Sequence, residues 1–500
     1  MASDAILFYR IRSGSLLRQA DRLSVKQIPP SVLFEPETYL RVCSQSVERL
    51  RSGNRPKPRL RGKGRLNDPT CQLLIAAANR IEPKIEPKYL QDGLVWFPAK
   101  ASNLKIGQAY FDVCCRLVGL RFAHVFLFPN FGVGGAERYF SNVIATIHAR
   151  RPGKKILVLL GEAHEDNAWL GRLQAKATVI DLAAYRAAIG AEGIDLVALK
   201  LIQSCAPDGT VHIRQSSFGQ RFFDKFGRAL ESNKFYFYYF CEEIRPRGDF
   251  GFAQPWSFSF VSENFEHLDG VVSDNRHIAR ADYERIGVSA DKWKFLPTMH
   301  NPPISRAEAV ARAMRPANRL LWASRLSWQK RPGMIRTIAL RLREVRPDLA
   351  MDIYGGHPVE FDSALLGGLP NVSCHGPYGS FPDSVESPHF CFLYTSLFDG
   401  IPTVLLEAAG LGLPIIAPDV PAINEFVEDG KTGLLLESLI DDEEMARSYV
   451  RAIVQMADDA NMRGRLAGAA YDQVMRVHST EPYTAALMEL LGGKDEHRAA

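Results

Sequence analysis

Paired ligand spacings are missing from this sequence. Its eight cysteines stand singly apart from Cys114 and Cys115, and no CxxC occurs. Neither a disulfide framework nor a zinc site follows, and reduced thiols in a cytoplasmic protein are the expectation. No two aspartates stand two residues apart, and the twelve histidines show no metal-ligand spacing. Gly-x-Ser-x-Gly, P-loop and His-Glu-x-x-His motifs are absent as well, so metal catalysis and hydrolase-type nucleophiles lose support together. No basic start followed by an apolar segment marks a signal peptide. The most apolar helical stretch, residues 104–122, is interrupted by Lys105, Asp112, Arg116 and Arg121, so it does not read as a membrane span. A net charge of +5 is too mild to hold the chain on nucleic acid.

What is present is the composition of a soluble globular protein, 46% apolar and 23% charged, with length for about three domains. Residues 1–120 read as a mostly helical, basic extension, with helix-like pieces at 36–50, 69–81 and 104–120. Between the first two, the run from Arg49 to Arg65 holds Arg51, Arg55, Lys57, Arg59, Arg61 and Lys63 among Pro and Gly. It reads as a solvated linker or as a foothold on an anionic membrane surface.

From His124 the texture becomes short apolar runs alternating with helical periods, the mark of a parallel α/β sheet. Strands are expected at 124–128, 155–160, 177–181, 210–214, 235–240, 270–273 and 294–297. A Pro-rich joint at 296–303 then breaks the pattern. A second alternation gives strands at 319–323, 350–354, 372–375, 390–394, 414–417 and 433–436. In the intervening helix, Met334, Ile335, Ile338, Leu342 and Val345 share one face. The fold class is therefore α/β, with two doubly wound Rossmann-like domains at 121–300 and 301–475 and a closing helix at 476–500. Ligands belong at the carboxyl ends of the strands, in the cleft where the domains face.

Three segments carry chemistry. The first, Ser396-Leu-Phe-Asp-Gly-Ile-Pro-Thr-Val-Leu-Leu-Glu407, runs from a strand into a helix. Gly400 admits close backbone approach, Pro402 suits a helix start, and the first turn, with Ile401 and Thr403, offers unpaired N–H groups. Asp399 on the loop and Glu407 within the helix are placed to meet sugar and ribose hydroxyls rather than a metal. The second, Trp322-Ala-Ser-Arg-Leu-Ser-Trp-Gln-Lys-Arg-Pro332, sets Arg325 and Lys330 five residues apart, two cations suited to a departing diphosphate. The third, Phe128-Pro-Asn-Phe-Gly-Val-Gly-Gly-Ala-Glu-Arg138, is a Gly-rich strand-to-helix turn. It is not a dinucleotide fingerprint, because Glu137 replaces the third glycine and the candidate acid, Glu162, comes late.

These blocks, with Asp429-Gly-Lys-Thr-Gly-Leu-Leu-Leu436 after them, resemble the retaining glycosyltransferases of family 4 over residues 124–491. The resemblance implies the GT-B fold and sugar transfer from a nucleotide-sugar donor, UDP- or GDP-linked, without a metal or other cofactor. The acceptor is a glycan, a lipid-linked sugar, a protein or a small molecule. It implies Arg325, Lys330, Asp399 and Glu407 as catalytic residues. Gly134, Gly135, Gly355, Pro377, Gly400, Ile401, Pro402 and Thr403 would line the donor. Two departures stand out. Asp399 replaces the family's Glu, and the family's first-domain His is missing, with Cys241, Glu242 or His212 near its place. A nucleotide-sugar epimerase, a phosphorylase and a non-catalytic glycan-binding scaffold remain alternatives on the same fold.

Overall fold

The computed structural model describes residues 101–163, 167–230, 232–247, 250–254, 256–287, 290–356, 366–381, 388–439 and 441–492, with isolated positions between 69 and 77. The basic run from Arg49 to Arg65 and the helix-like piece at 36–50 lie outside these. The chain divides into two compact units, residues 1–132 with 147–235, and residues 133–146 with 236–500.

In the first unit, β1 (His124–Phe128), β2 (Ile156–Leu160), β3 (Thr178–Asp181) and β4 (Thr210–Arg214) run parallel in the order β3-β2-β1-β4. Every residue of β1 and β2 is buried. Their unbroken apolar runs are what a strand needs when helices cover both its faces. The helix Ala101–Leu117 packs on the helix Arg186–Cys205, and Tyr110 shares a buried hydrogen bond with Ser204 at 3.1 Å.

The second unit contains the parallel run β5 (Lys234–Tyr238) from residue 236, β8 (Gly270–Ser273) and β9 (Trp293–Phe295). It also contains an antiparallel hairpin, β6 (Glu243–Arg247) and β7 (Phe250–Gln254). The sequence reading missed that hairpin and ran β5 on to residue 240; the strand ends at Tyr238. A six-stranded parallel sheet follows. Its strands are β10 (Arg319–Ala323), β11 (Ala350–Tyr354), β12 (Val372–Gly376), β13 (His389–Leu393), β14 (Ile415–Pro418) and β15 (Gly433–Leu436). Their order, β12-β11-β10-β13-β14-β15, is that of a complete doubly wound sheet. Its two faces are filled by separate apolar clusters, one around Trp322, Ile338 and Tyr449, the other around Tyr394, Leu405 and Phe426. Met334, Ile335, Ile338 and Leu342 enter the first cluster, but Val345 is 57% exposed. It is the last helical residue, and the chain turns there toward β11.

β10 and β13 are neighbours whose connections leave in opposite directions, so their carboxyl ends open a crevice. Among the described residues, no helix is long and apolar enough to cross a membrane.

Candidate functional site

Two loops meet at that crevice. After β10 the chain makes a short 3-10 turn, Trp328–Lys330, and this turn is stapled to the loop after β13. Leu397 N–H donates to the Gln329 carbonyl at 2.9 Å, and Thr395 Oγ1 to the Lys330 carbonyl at 2.6 Å. Gln329 Nε2 donates to the Phe398 carbonyl at 2.7 Å. The staple brings Lys330 and Asp399 together as an ion pair. The Tyr394 hydroxyl also donates to the Asp399 carboxylate, and Lys330 Nζ lies 3.3 Å from that hydroxyl. Ser396 Oγ, 3.3 Å away, completes the set. Burial, with Asp399 beside it, pushes the Tyr394 phenol well above its ordinary value, so it stays a proton donor. Arg325, one loop turn earlier, is exposed and has no side-chain partner among the described residues.

The helix Thr403–Gly410 begins just beyond, with Pro402 as its N-cap and no side chain capping it. The start of the helix Gly135–Arg150 comes up to it. A Cβ on Gly135 would stand 3.6 Å from Thr403 Oγ1. Two helix N-termini therefore converge, and their partial positive charges favour an anion. Glu407 is buried in the second turn and forms an ion pair with Arg138 of the Gly-rich segment. Burial raises the Glu407 carboxyl above its usual range, against the pull of Arg138. Its charge also adds to the burial that lifts the Tyr378 phenol to about 12.

A third carboxylate was not anticipated. Asp274, directly after β8, accepts Ile401 N–H at 3.1 Å and Asn275 Nδ2 at 2.8 Å. A Cβ on Gly400 would come within 2.6 Å of Asp274 Oδ1 and 2.9 Å of Phe240 Cβ. Gly400 therefore makes room for Asp274 and Phe240, where the sequence reading gave that space to a ligand. The Cys241 thiol lies near Asp399 and Asp274 with the Gly400 N–H toward it. Burial, then those two carboxylates, raise its pKa, so it is an inert thiol.

Other residues singled out in the sequence have structural partners. A Cβ on Gly134 would meet the buried Glu137 carboxylate at 2.5 Å. Gly355, at φ +154°, lies where a Cβ would be 1.7 Å from the Ser324 carbonyl oxygen. Its N–H donates to the Gly376 carbonyl at 2.8 Å, and Pro377 packs beside Gly356. Glu162 accepts the Phe218 N–H at 2.6 Å, near the start of a helix. His212 is buried, stacked on Phe126 and 3.1 Å from His124 Nδ1. Glu242 pairs with Arg285 at 2.9 Å. Among the described residues no group of three or more His, Cys, Asp or Glu is placed to hold a metal ion.

Sequence reasoning missed Arg138, Asp274 and Tyr394. Arg138 and Asp274 have their partners far away in the chain, so no local spacing marks them; Arg138, for instance, lies 269 residues from Glu407. Tyr394 ends an expected strand, five residues before Asp399, and reads as part of that strand.

Comparison with known proteins agrees with this architecture. Over 156 residues the chain is 30% identical to the GtfA subunit of the UDP-N-acetylglucosamine--peptide N-acetylglucosaminyltransferase of Streptococcus pneumoniae, covering 30% of each protein. It is 27% identical to a D-inositol 3-phosphate glycosyltransferase of Arthrobacter over 204 residues, 38% of this chain and 46% of that protein. The chain thus spans from about a third to a half of these curated relatives. Among solved structures, pneumococcal GtfA with UDP and GlcNAc superposes at a TM-score of 0.59 and 13% identity, covering 74% of this chain and all of that one. Anabaena HepE with UDP-glucose gives 0.56 at 16% identity, over 74% and 99% of the two chains. The fold is accordingly the two-domain GT-B fold of these glycosyltransferases. Residues 317–459, which hold Arg325, Lys330, Asp399 and Glu407, match the family model for glycosyl transferases group 1.

Proposed function

We propose that the protein is a cytoplasmic glycosyltransferase that moves a sugar from a nucleoside-diphosphate sugar to a hydroxyl of a glycan or lipid-linked acceptor. The observation that carries the reading is the Lys330–Asp399–Tyr394 cluster, held beside the uncapped start of the helix that bears Glu407. The diphosphate lies against Arg325, Lys330 and the N–H groups at the start of the Thr403–Gly410 helix. These stabilise the negative charge that grows on the leaving diphosphate as the glycosidic bond breaks. Asp399 takes hydroxyls of the transferred sugar, and its tie to Tyr394 and Lys330 fixes its rotamer. Glu407 takes the ribose hydroxyls, exchanging its Arg138 contact for them. Transfer proceeds with retention and without a metal, as in family 4, and the residues here supply charge stabilisation without one.

UDP is the first nucleotide to test, because the pneumococcal and Anabaena neighbours were solved with it. A thermal-shift panel of UDP, GDP, ADP and their sugars should give a raised midpoint for one nucleotide class, by mass action. No shift with any of them at millimolar concentration would overturn the reading. Activity with the matching donor should persist in EDTA; loss restored by manganese would overturn the metal-free route.

A further inference from the structure

We propose that Asp274 is a positioning residue, gripping the loop that carries Asp399 through the Ile401 amide; the proposal rests on the donor-site reading above. The grip has several parts. Asp274 Oδ2 accepts the Ile401 N–H at 3.1 Å and lies 3.4 Å from Thr298 Oγ1. Its Oδ1 accepts Asn275 Nδ2 at 2.8 Å, while the same amide nitrogen donates to the Phe240 carbonyl at 2.8 Å. Gly400, the residue between Asp399 and Ile401, has no side chain where the carboxylate presses in. A carboxylate from the segment after β8 thus fixes two successive backbone positions immediately after the sugar-binding Asp399.

The chemistry of the place is unusual. Asp274 is 5% exposed, yet no lysine or arginine forms an ion pair with it among the described residues. Burying a carboxylate without a cation costs stability, and such costs cluster where a charge has work to do. The titratable groups facing it are Asp399 from the loop after β13, Cys241 from the loop after β5 and Tyr139 from the Gly135–Arg150 helix. Lys330, paired with Asp399, also lies near Cys241. Burial raises the Asp274 carboxyl to about 7, its bonds to Asn275 and Ile401 offset part of this, and Asp399 adds to the rise. The ionised form is the stronger acceptor for the Ile401 N–H. The loop is therefore held most tightly above neutral pH and loosens as the proton arrives.

Two variants and three readouts test this. Asp274→Asn keeps an acceptor oxygen for Ile401 and cannot titrate. As a neutral acceptor it stands in for the protonated acid: turnover of a UDP-sugar should be pH-independent at the wild type's low-pH level, with no acid limb near neutral pH. Its Ile401 amide exchange at about pH 8 should lie between those of wild type and Asp274→Ala. Asp274→Ala removes the acceptor. Its Ile401 amide should exchange faster and turnover should fall roughly tenfold, the size expected for one hydrogen bond to a charged group, while affinity for UDP stays unchanged. Unfolding supplies an arm that needs no catalysis. The native carboxyl holds its proton to a higher pH than the unfolded one, so its contribution is full in acid and is lost as pH rises through about 7. Wild-type protein should therefore lose stability relative to Asp274→Asn as pH rises from about 5 to about 8. An unchanged acid limb or an unchanged stability slope in Asp274→Asn, or unaltered Ile401 exchange in Asp274→Ala, would overturn the proposal. If exchange and unfolding behave as expected but no UDP-sugar is turned over, the donor reading fails and the grip stands.

Discussion

The six-stranded sheet carries two aspartate-centred clusters, and they are built on opposite terms. Asp352, within β11, is surrounded by donors. Arg319 clamps both its oxygens at 2.5 Å, His375 Nε2 stands at 2.7 Å and His389 Nε2 at 2.9 Å. Burial alone would raise its pKa, but these bonds outweigh it and hold the carboxyl far below the usual range. Past the carboxyl ends of β10 and β13, Lys330, Tyr394 and Ser396 all reach one Asp399 oxygen, leaving the other only Gln329 Nε2 at 3.4 Å; among the described residues no cation pairs with Asp274, and Arg325 faces solvent. A saturated cluster locks strands together. An unsaturated one keeps charge in reserve for a ligand, at some cost in stability.

The first way to break this comparison is to empty the saturated cluster. Asp352→Ala leaves Arg319 and two histidines without their shared acceptor, and should cost about 3–5 kcal/mol of stability, read from denaturant unfolding. Turnover per folded molecule should be unaffected. Because its native pKa is depressed, the contribution of Asp352 is present above the ordinary carboxylate pKa and is lost as pH falls through the native one. Acid unfolding of the wild type should therefore have a steep component that Asp352→Asn lacks. A large loss of turnover in stably folded Asp352→Ala would erase the distinction between the clusters.

The converse change strikes the unsaturated cluster. Lys330→Ala should lower turnover by about 10²–10³, measured at saturating donor, while unfolding moves less than in Asp352→Ala. Arg325→Ala should do the same with still less effect on stability, since its guanidinium is exposed. Turnover near wild type in both variants would return these cations to the surface.

How far the sequence carried this picture differs between backbone and side chains. Every parallel strand was legible to within a few residues, because strands covered on both faces read as short, mostly apolar runs, as Val125–Phe128 and Ile156–Leu160 do. The hairpin from 243 to 254 was not, since Pro246 and the charged residues around it carry no apolar run. Of the residues singled out in sequence, Arg325, Lys330, Asp399 and Glu407, the structure brings Lys330 and Asp399 into contact. Asp274 and Arg138 were not singled out, because their partners, Ile401 and Glu407, lie 127 and 269 residues away. Gly400 was noticed for the right atom and the wrong neighbour: its missing Cβ faces Asp274.

The central claim is a division of labour, Asp399 for the sugar and Glu407 for the ribose, and calorimetry with UDP on the two amide variants tests it. Glu407→Gln should weaken UDP roughly tenfold or more, the worth of a buried hydrogen bond to a charged group, because the ribose belongs to UDP itself. Asp399→Asn should leave UDP affinity unchanged while reducing transfer, because its sugar partner is absent from UDP and Lys330 remains for the diphosphate. Equal losses in the two variants, or a loss confined to Asp399→Asn, would contradict the account.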